Sequence, residues 1–477
     1  MATPAESRLS DLQSDSVPRW VSVADVLTVA GCLLAVIVEI GGGFRFWLGD
    51  ARISVTSPIR LLVYSLLVGL VRHAVVRRPT LLSQATKAAR SVCSAEEWSA
   101  VWPAFVVTRV MVLSVGLLAV YTIGFPAERP PYRISNNEIT NLPVRWDAGW
   151  YLDIANRGYR WDRREPSTQQ NVAFFPGLPA IIHVVGRLFG NSLHAYVLAG
   201  VLTSHVAFLW GLIYFYRLAR VDLGSAERAA WAVRLLAAYP FSLFYGAMYT
   251  ESLFLLGCAG AVVELRNGQT LRAAGWGLLV GLTRPNGFLL AVTLVALVGP
   301  SLIRTRGTLW TRHGLQTVSA TIAPVAGMLA YSAYLAWLTG NAFQWSAQHA
   351  AWGRTFTGLS PFVDVAGMIA YQGVGRYIAM APYDALNAVA VVAGVALLIP
   401  VWRAFGTAYF LFVCVNLLPP LFKGGVMAMG RLSATLFPLF LLIALKLDSR
   451  GALWFTVGFA ALQAFFAALF YTWRPLV

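Results

Sequence analysis

Apolar residues in this chain come in long runs rather than at the i, i+3, i+4 spacing of a half-buried helix. Run after run approaches the ~20 residues a helix needs to cross a bilayer. The pattern predicts an all-α polytopic membrane protein of about 11–13 transmembrane helices. The expected spans lie near Val21–Leu48, Ile59–Val76, Pro103–Phe125, Leu193–Leu218, Ala229–Tyr245, Glu251–Leu265, Ala273–Leu282, Phe288–Ile303, Val318–Trp337, Ala385–Val401, Ala408–Leu421, Ala434–Leu445 and Trp454–Tyr471. Phe174–Phe189 is short and amphipathic, and reads as a helix lying in the membrane interface. Residues 1–20 are polar and lack the apolar core of a signal peptide, so a flexible cytoplasmic tail is expected. Residues 21–100 then form a transmembrane hairpin and a cytoplasmic linker, and residues 101–477 a larger transmembrane module.

Short loops rich in arginine set the orientation. Arg77, Arg78, Lys87, Arg90, Arg217, Arg220, Arg304 and Arg306 are placed in the cytoplasm. Five polar islands then fall on the outer side. The first is the longest polar loop, roughly Ala127 to Asn171, with the stretch Arg145-Trp146-Asp147-Ala148-Gly149-Trp150-Tyr151. The others are Tyr249–Ser252, Thr283–Gly287, Gln344–Arg354 and Lys423–Arg431. Each alone has a plain explanation: a solvated acid, a helix-stopping turn or an interfacial anchor. Together they predict one polar cavity between helices, roofed by the first outer loop.

Composition supports the class. The chain is 58% hydrophobic and 12% charged, against about 25% charged in soluble domains. The net charge of +16 does not call for nucleic acid, because much of it sits in short loops between apolar segments. Lysine occurs only at Lys87, Lys423 and Lys446, an arginine bias that points to a GC-rich bacterial genome. The four cysteines suggest no pair, so no disulfide and no metal cluster is expected.

A carboxylate near hydrocarbon is costly and needs a reason. Asp147, set among arginines and aromatic rings where water can reach, reads as a catalytic acid–base group. Glu251 is the second candidate. Arg284, Arg354 and Arg431, with Arg145 behind them, are candidate phosphate ligands, because the guanidinium fork binds phosphate bidentately. Trp146, Trp150, Tyr151, Asn286, Gln348 and Trp352 form the candidate sugar- or lipid-binding set. No His pair or carboxylate cluster has metal-ligand spacing. No cofactor is therefore expected, although a divalent cation bridging to a phosphate stays open.

The motifs RWDAGWYLDIANRGY, AFFPGLP, YTESLF, TRPNG, AFQWSAQHAAWGR and MGRLSATLFPLF, from about Trp102 to Leu445, resemble bacterial members of the PIG-V mannosyltransferase family, within the wider GT-C glycosyltransferases. Eukaryotic members carry His-Trp-Asp where this chain has Arg145-Trp146-Asp147. The resemblance implies a GT-C bundle in residues 101–477, with residues 126–190 as outer catalytic loop and interfacial helix. It implies a polyprenyl-phosphate-sugar donor, most often mannose, an inverting transfer, and a catalytic Asp at position 147. The acceptor stays open among a glycolipid, a lipoglycan or other glycan and a protein hydroxyl, the protein is expected to act as a monomer, and the active site is expected to face outward from a bacterial plasma membrane. Two alternatives stand beside this one: a GT-C enzyme for another lipid-linked sugar, and a polytopic lipid or sugar transporter or flippase. The absence of a repeated half argues against the transporter.

Overall fold

The computed structural model describes residues 18–41, 44–48, 51–55, 57–76, 93–128, 131–304 and 311–476. It divides into two compact units, residues 1–94 and 95–477. Most of the expected cytoplasmic tail and linker lies outside the described residues.

The first unit is a helical hairpin, α1 (Arg19–Gly41) and α2 (Pro58–Val75), joined by an antiparallel pair, β1 (Phe44–Leu48) and β2 (Ala51–Val55). The expected span to Leu48 therefore ends early. Gly41, Gly42 and Gly43 are poor helix formers, and the sequence beyond them alternates as a strand does. Where α1 and α2 meet, Gly31 lies against Ser65 and Gly69 against Thr28, so both glycines allow close approach. A buried ion pair, Arg72 to Asp25 at 2.6 Å, fixes the register of the hairpin.

The second unit runs α3 (Ala95–Thr122), α4 (Glu138–Asn141), α5 (Ala148–Arg157), α6 (Gly177–Leu188), α7 (Leu193–Leu223), α8 (Ala226–Ala238), α9 (Glu251–Arg266), α10 (Thr270–Thr283), α11 (Leu290–Arg304) and α12 (Arg312–Thr339). It continues with α13 (Gln344–Ala347), α14 (Ser360–Gln372), α15 (Val374–Met380), α16 (Pro382–Ala396), α17 (Leu398–Phe405), α18 (Thr407–Gly424), α19 (Met429–Ser433), α20 (Phe437–Lys446) and α21 (Ser449–Tyr471). The ends follow helix chemistry. Ser192 caps α7 by accepting from the Ala195 N–H, and α7 stops at Gly224 in the left-handed region (φ 65°). The core lies around α9, in which every residue from Glu251 to Leu265 is buried. Helices α10 and α12 approach backbone to backbone. A side chain at Gly281 would collide with the Pro324 carbonyl, and one at Gly327 with that of Leu278.

Seven helices among the described residues are long and apolar enough to cross a membrane, or eight if a bent pair counts as one span. The expected 11–13 is approached only by adding shorter apolar helices such as Gly287–Ser301 and Phe437–Lys446. Two differences from expectation matter for the site. Ala229–Tyr245 is not one helix: α8 stops before Pro240, and a 3-10 segment, Pro240–Gly246, meets α9 at 95°. Helices α14 and α15 also fill a stretch between spans that the apolar pattern passes over.

A helix broken inside a bundle frees carbonyls that no water reaches. Side chains take them up. The Arg109 Nη1–H donates to the Ser242 carbonyl at 3.0 Å, and the Ser252 hydroxyl to that of Tyr245 at 2.7 Å. The Gln463 amide donates to Ala237 and Tyr239, at 3.0 and 2.9 Å. Arg109 and Gln463, polar residues in apolar spans, are thus explained by the break, and the break carries Tyr249 and Glu251.

Candidate active site

Four charged side chains from four distant islands form one chain of contacts. An Arg431 Nη1–H donates to the Asp147 Oδ2 at 2.8 Å. The Nε of Arg431 lies 3.3 Å from the Glu251 Oε1, and the same oxygen accepts from Arg284 Nη2 at 3.1 Å. Burial deepens from Asp147 through Arg431 to Glu251 and Arg284. The Asp147 side chain is 31% exposed, Arg431 17%, Arg284 5% and Glu251 1%. Asp147 is therefore the member open to a substrate, and Glu251 holds both arginines from within.

Local structure aims each group. Asp147 stands at the start of α5 but makes no capping bond, so its carboxylate turns to Arg431. Trp146 before it has φ 54°, a left-handed conformation that a non-glycine residue keeps only when its surroundings impose it. The Trp146 indole N–H donates to the Phe470 carbonyl at 3.2 Å, and its ring packs on Trp473 at 5.0 Å. Tyr249 fixes the same corner: its hydroxyl accepts from the Asp147 N–H at 3.0 Å and lies 3.3 Å from the Arg145 carbonyl. Arg431 stacks over the Tyr249 ring at 5.3 Å. Its neighbour Gly430 sits on the Phe241 ring, where any side chain would collide, and donates to Asn387 at 2.7 Å. Arg284 ends α10 and lies over Phe254 at 5.1 Å. Gly177, from the FFPG motif, packs against the Leu282 carbonyl just before it.

Arg354 is near but differently placed. It is half-buried, donates to the Met427 carbonyl at 2.9 Å, and has no carboxylate partner among the described residues. Burial first, and then repulsion from Arg431, push its pKa down to about 10, so it stays charged at neutral pH. The aromatic candidates cluster beside it. Trp150 stacks on Phe174 at 5.7 Å and meets Trp352 edge-on at 5.8 Å, and Tyr151 meets Phe174 at 5.2 Å.

Three candidates from the sequence make contacts of another kind. The Asn286 amide donates to Asn416 at 2.7 Å. Gln348 is buried, donates to the Thr168 carbonyl, and so ties the second polar loop to the first. Arg145 is fully buried and its guanidinium does not join the cluster. It donates to the carbonyls of Tyr471 (3.0 Å) and Asn141 (3.0 Å) and to Glu138 (3.1 Å). Burial lowers its pKa, with Glu138 opposing. Its contacts make it a brace between the loop and α21. Arg145→Ala is expected to lower the thermal stability of the purified protein by about 3 kcal/mol, since it removes three bonds of a buried guanidinium, although Arg133 still holds Glu138 at 2.7 Å. An unchanged melting temperature would mean that the brace carries no weight.

Sequence reasoning did not single out Asn387, Phe470 or Trp473, which shape the site from far along the chain. It reached Tyr249 only as part of an island, and the motif gives no sign of its bond to Asp147. No group of three His, Cys, Asp or Glu side chains able to hold a metal occurs among the described residues.

Comparison with known proteins adds an independent line. The chain is 31% identical over 156 residues to a GPI mannosyltransferase 2 of Chaetomium globosum, covering 30% of this chain and 31% of that one. It is 27% identical over 177 residues to a GPI alpha-1,6-mannosyltransferase 2 of Cricetulus griseus, covering 33% and 34%. The matched part thus spans about a third of either relative. Among solved structures, an oligosaccharyltransferase of Archaeoglobus fulgidus superposes with a TM-score of 0.45 at 14% identity, over 77% of this chain and 53% of that one. Residues 130–303, which hold Asp147, Glu251 and Arg284, match the family model Mannosyltransferase (PIG-V).

Proposed function

We propose that this protein is an integral membrane mannosyltransferase. It moves a hexose, with inversion, from a polyprenyl-phosphate sugar to a hydroxyl of a glycolipid or other glycan acceptor. The observation that carries the reading is the partly exposed carboxylate of Asp147 at 2.8 Å from Arg431, backed by Glu251 and Arg284. Asp147 takes the proton from the acceptor hydroxyl while that oxygen bonds to the anomeric carbon. The bond from that carbon to the phosphate oxygen breaks, and its electrons leave with the polyprenyl phosphate. Arg431, Arg354 and Arg284 stabilise the charge that develops there. Arg431 already holds a carboxylate. An arriving phosphate competes for the same fork and so frees Asp147 to act as base. The buried Glu251 Oε2 and Arg284 Nη1, each without a hydrogen-bond partner among the described residues, leave polar capacity for a ligand or water.

The direct test uses purified protein in nanodiscs, radiolabelled polyprenyl-phosphate-mannose and candidate glycolipid acceptors. Label in the acceptor is expected. Transfer only from another lipid-linked sugar would overturn the choice of mannose, and no transfer from any would overturn the reading. With three cations near the leaving phosphate, no metal is needed for catalysis. Activity is expected to survive EDTA, and a loss restored by a divalent ion would reverse that assignment.

The site belongs on the outer surface of a bacterial plasma membrane, where lipid-linked donors are the available ones. In a background without the four native cysteines, a Cys at Ser167 is expected to react with an impermeant maleimide in intact spheroplasts. A Cys at Ser83 is expected to react only after lysis. The reverse pattern would turn the protein over and remove the case for a flipped donor.

A further inference from the structure

Helix α5 has two faces. Ala148, Tyr151, Leu152 and Ala155 are buried, and Tyr151 faces Tyr249 at 6.4 Å. Gly149, Trp150, Asp153, Asn156 and Arg157 recur at i, i+1, i+4, i+7 and i+8, one stripe of a helix. With Trp146, this stripe lines an open depression of about 520 Å³. That is within the ~300–1,000 Å³ typical of small-molecule sites.

The lining has the chemistry of a sugar subsite. Two indole rings offer faces for the C–H side of a hexose. Asp153 and Asn156 offer hydroxyl partners. Asp153 is held rigidly by Arg160, at 3.0 and 2.9 Å, and by the Asn171 amide at 3.2 Å. Its charge is shared between Arg160 and, at 3.9 Å, Arg157, both on the same wall. Arg354, which has no carboxylate partner among the described residues, follows Trp352 in the chain, the ring that Trp150 meets edge-on. Asp147 lies in the chain between Trp146 and Trp150, both of which line the depression.

We infer that this depression is the acceptor subsite, and that it seats a hexosyl unit of the acceptor glycan on Trp146 and Trp150. The inference rests on the proposed transferase reading and adds where the acceptor lies. Its geometry suits inversion, which needs the attacking hydroxyl and the leaving phosphate on opposite sides of the transferred sugar. The hydroxyl reaches Asp147 from the depression, and the phosphate lies towards the arginines.

Gly149 allows a clean test. A Cβ there would meet no atom within 4 Å, so a larger side chain enters the depression without displacing the protein. Gly149→Leu is expected to raise the KM for the acceptor about tenfold or more, with the donor KM at its wild-type value. Asn156→Ala is expected to raise the acceptor KM by a smaller factor. An unchanged acceptor KM in Gly149→Leu, or equal rises for donor and acceptor, would overturn the assignment. A binding measurement separates this inference from the transferase reading. In saturation-transfer NMR on nanodisc-embedded protein without donor, octyl α-mannoside is expected to show contact with wild type and to lose it in Gly149→Leu. Loss in the variant upholds the subsite even where no transfer is found. Equal contact in both, or none in wild type, overturns it.

Discussion

Asp147→Asn is expected to cut sugar transfer by ~10² or more, the usual scale for loss of a general base. The amide keeps the shape of the side chain and can still accept a bond from Arg431, so the fold and the donor site stay intact. Donor affinity is expected to hold or tighten, because a neutral amide competes with the incoming phosphate for Arg431 less strongly than a carboxylate does. The measurement is a paired one: kcat on saturating donor and acceptor, and donor binding by filter retention or fluorescence. An Asn variant with wild-type kcat would remove Asp147 from the mechanism and direct attention to Glu251. That residue, at 1% exposure, is poorly placed to reach an acceptor.

Arg431→Ala carries the second large effect. Arg431 is the one side chain here that touches both acids, Asp147 at 2.8 Å and Glu251 at 3.3 Å. Its loss takes a charge from the leaving phosphate and releases the base from its register. Transfer is expected to fall by ~10²–10³, the scale seen when one preorganised donor to a developing charge is removed. Arg431→Lys restores charge but not the two-pronged geometry, so only part of the activity returns. Both variants are read against thermal unfolding, since Glu251 would then lean on Arg284 alone. A folded Arg431→Ala enzyme with wild-type kcat and donor KM would show that the phosphate is held elsewhere.

Much of this arrangement is legible in the sequence, for a reason rooted in the bilayer. Charged residues are so costly in apolar spans that those present mark either a site or a structural repair. Polar islands in an apolar chain therefore point to Asp147, Glu251, Arg284 and Arg431, and the structure brings these four together. The pairing among them is not legible, because 284 residues separate Arg431 from Asp147. Arg145 shows the opposite limit. Adjacent in sequence to the acid region, it looks like a site residue, yet the left-handed turn at Trp146 sends its side chain into the protein. Gln348 and Asn286 are likewise polar residues spent on joining segments. The helix pattern misled at Ala229–Tyr245, where apolarity runs on through a backbone that Pro240 has already broken.

The contacts of residues 470–473 bear on the order in which the protein becomes itself. Arg145 and Trp146 are held by carbonyls 326 and 324 residues further along the chain. During synthesis, at about 5–20 residues per second, the first polar loop emerges long before those carbonyls exist. Until α21 is in place beside α3, the strained corner at Trp146 has Tyr249 to hold it but lacks the carbonyls of Phe470 and Tyr471. Every earlier intermediate, however well its individual helices are inserted, carries Asp147 on a loop braced only in part. Such a ribosome-bound chain meets the membrane's lipid-linked sugars with its base unaimed, and competence arrives late and all at once, with α21.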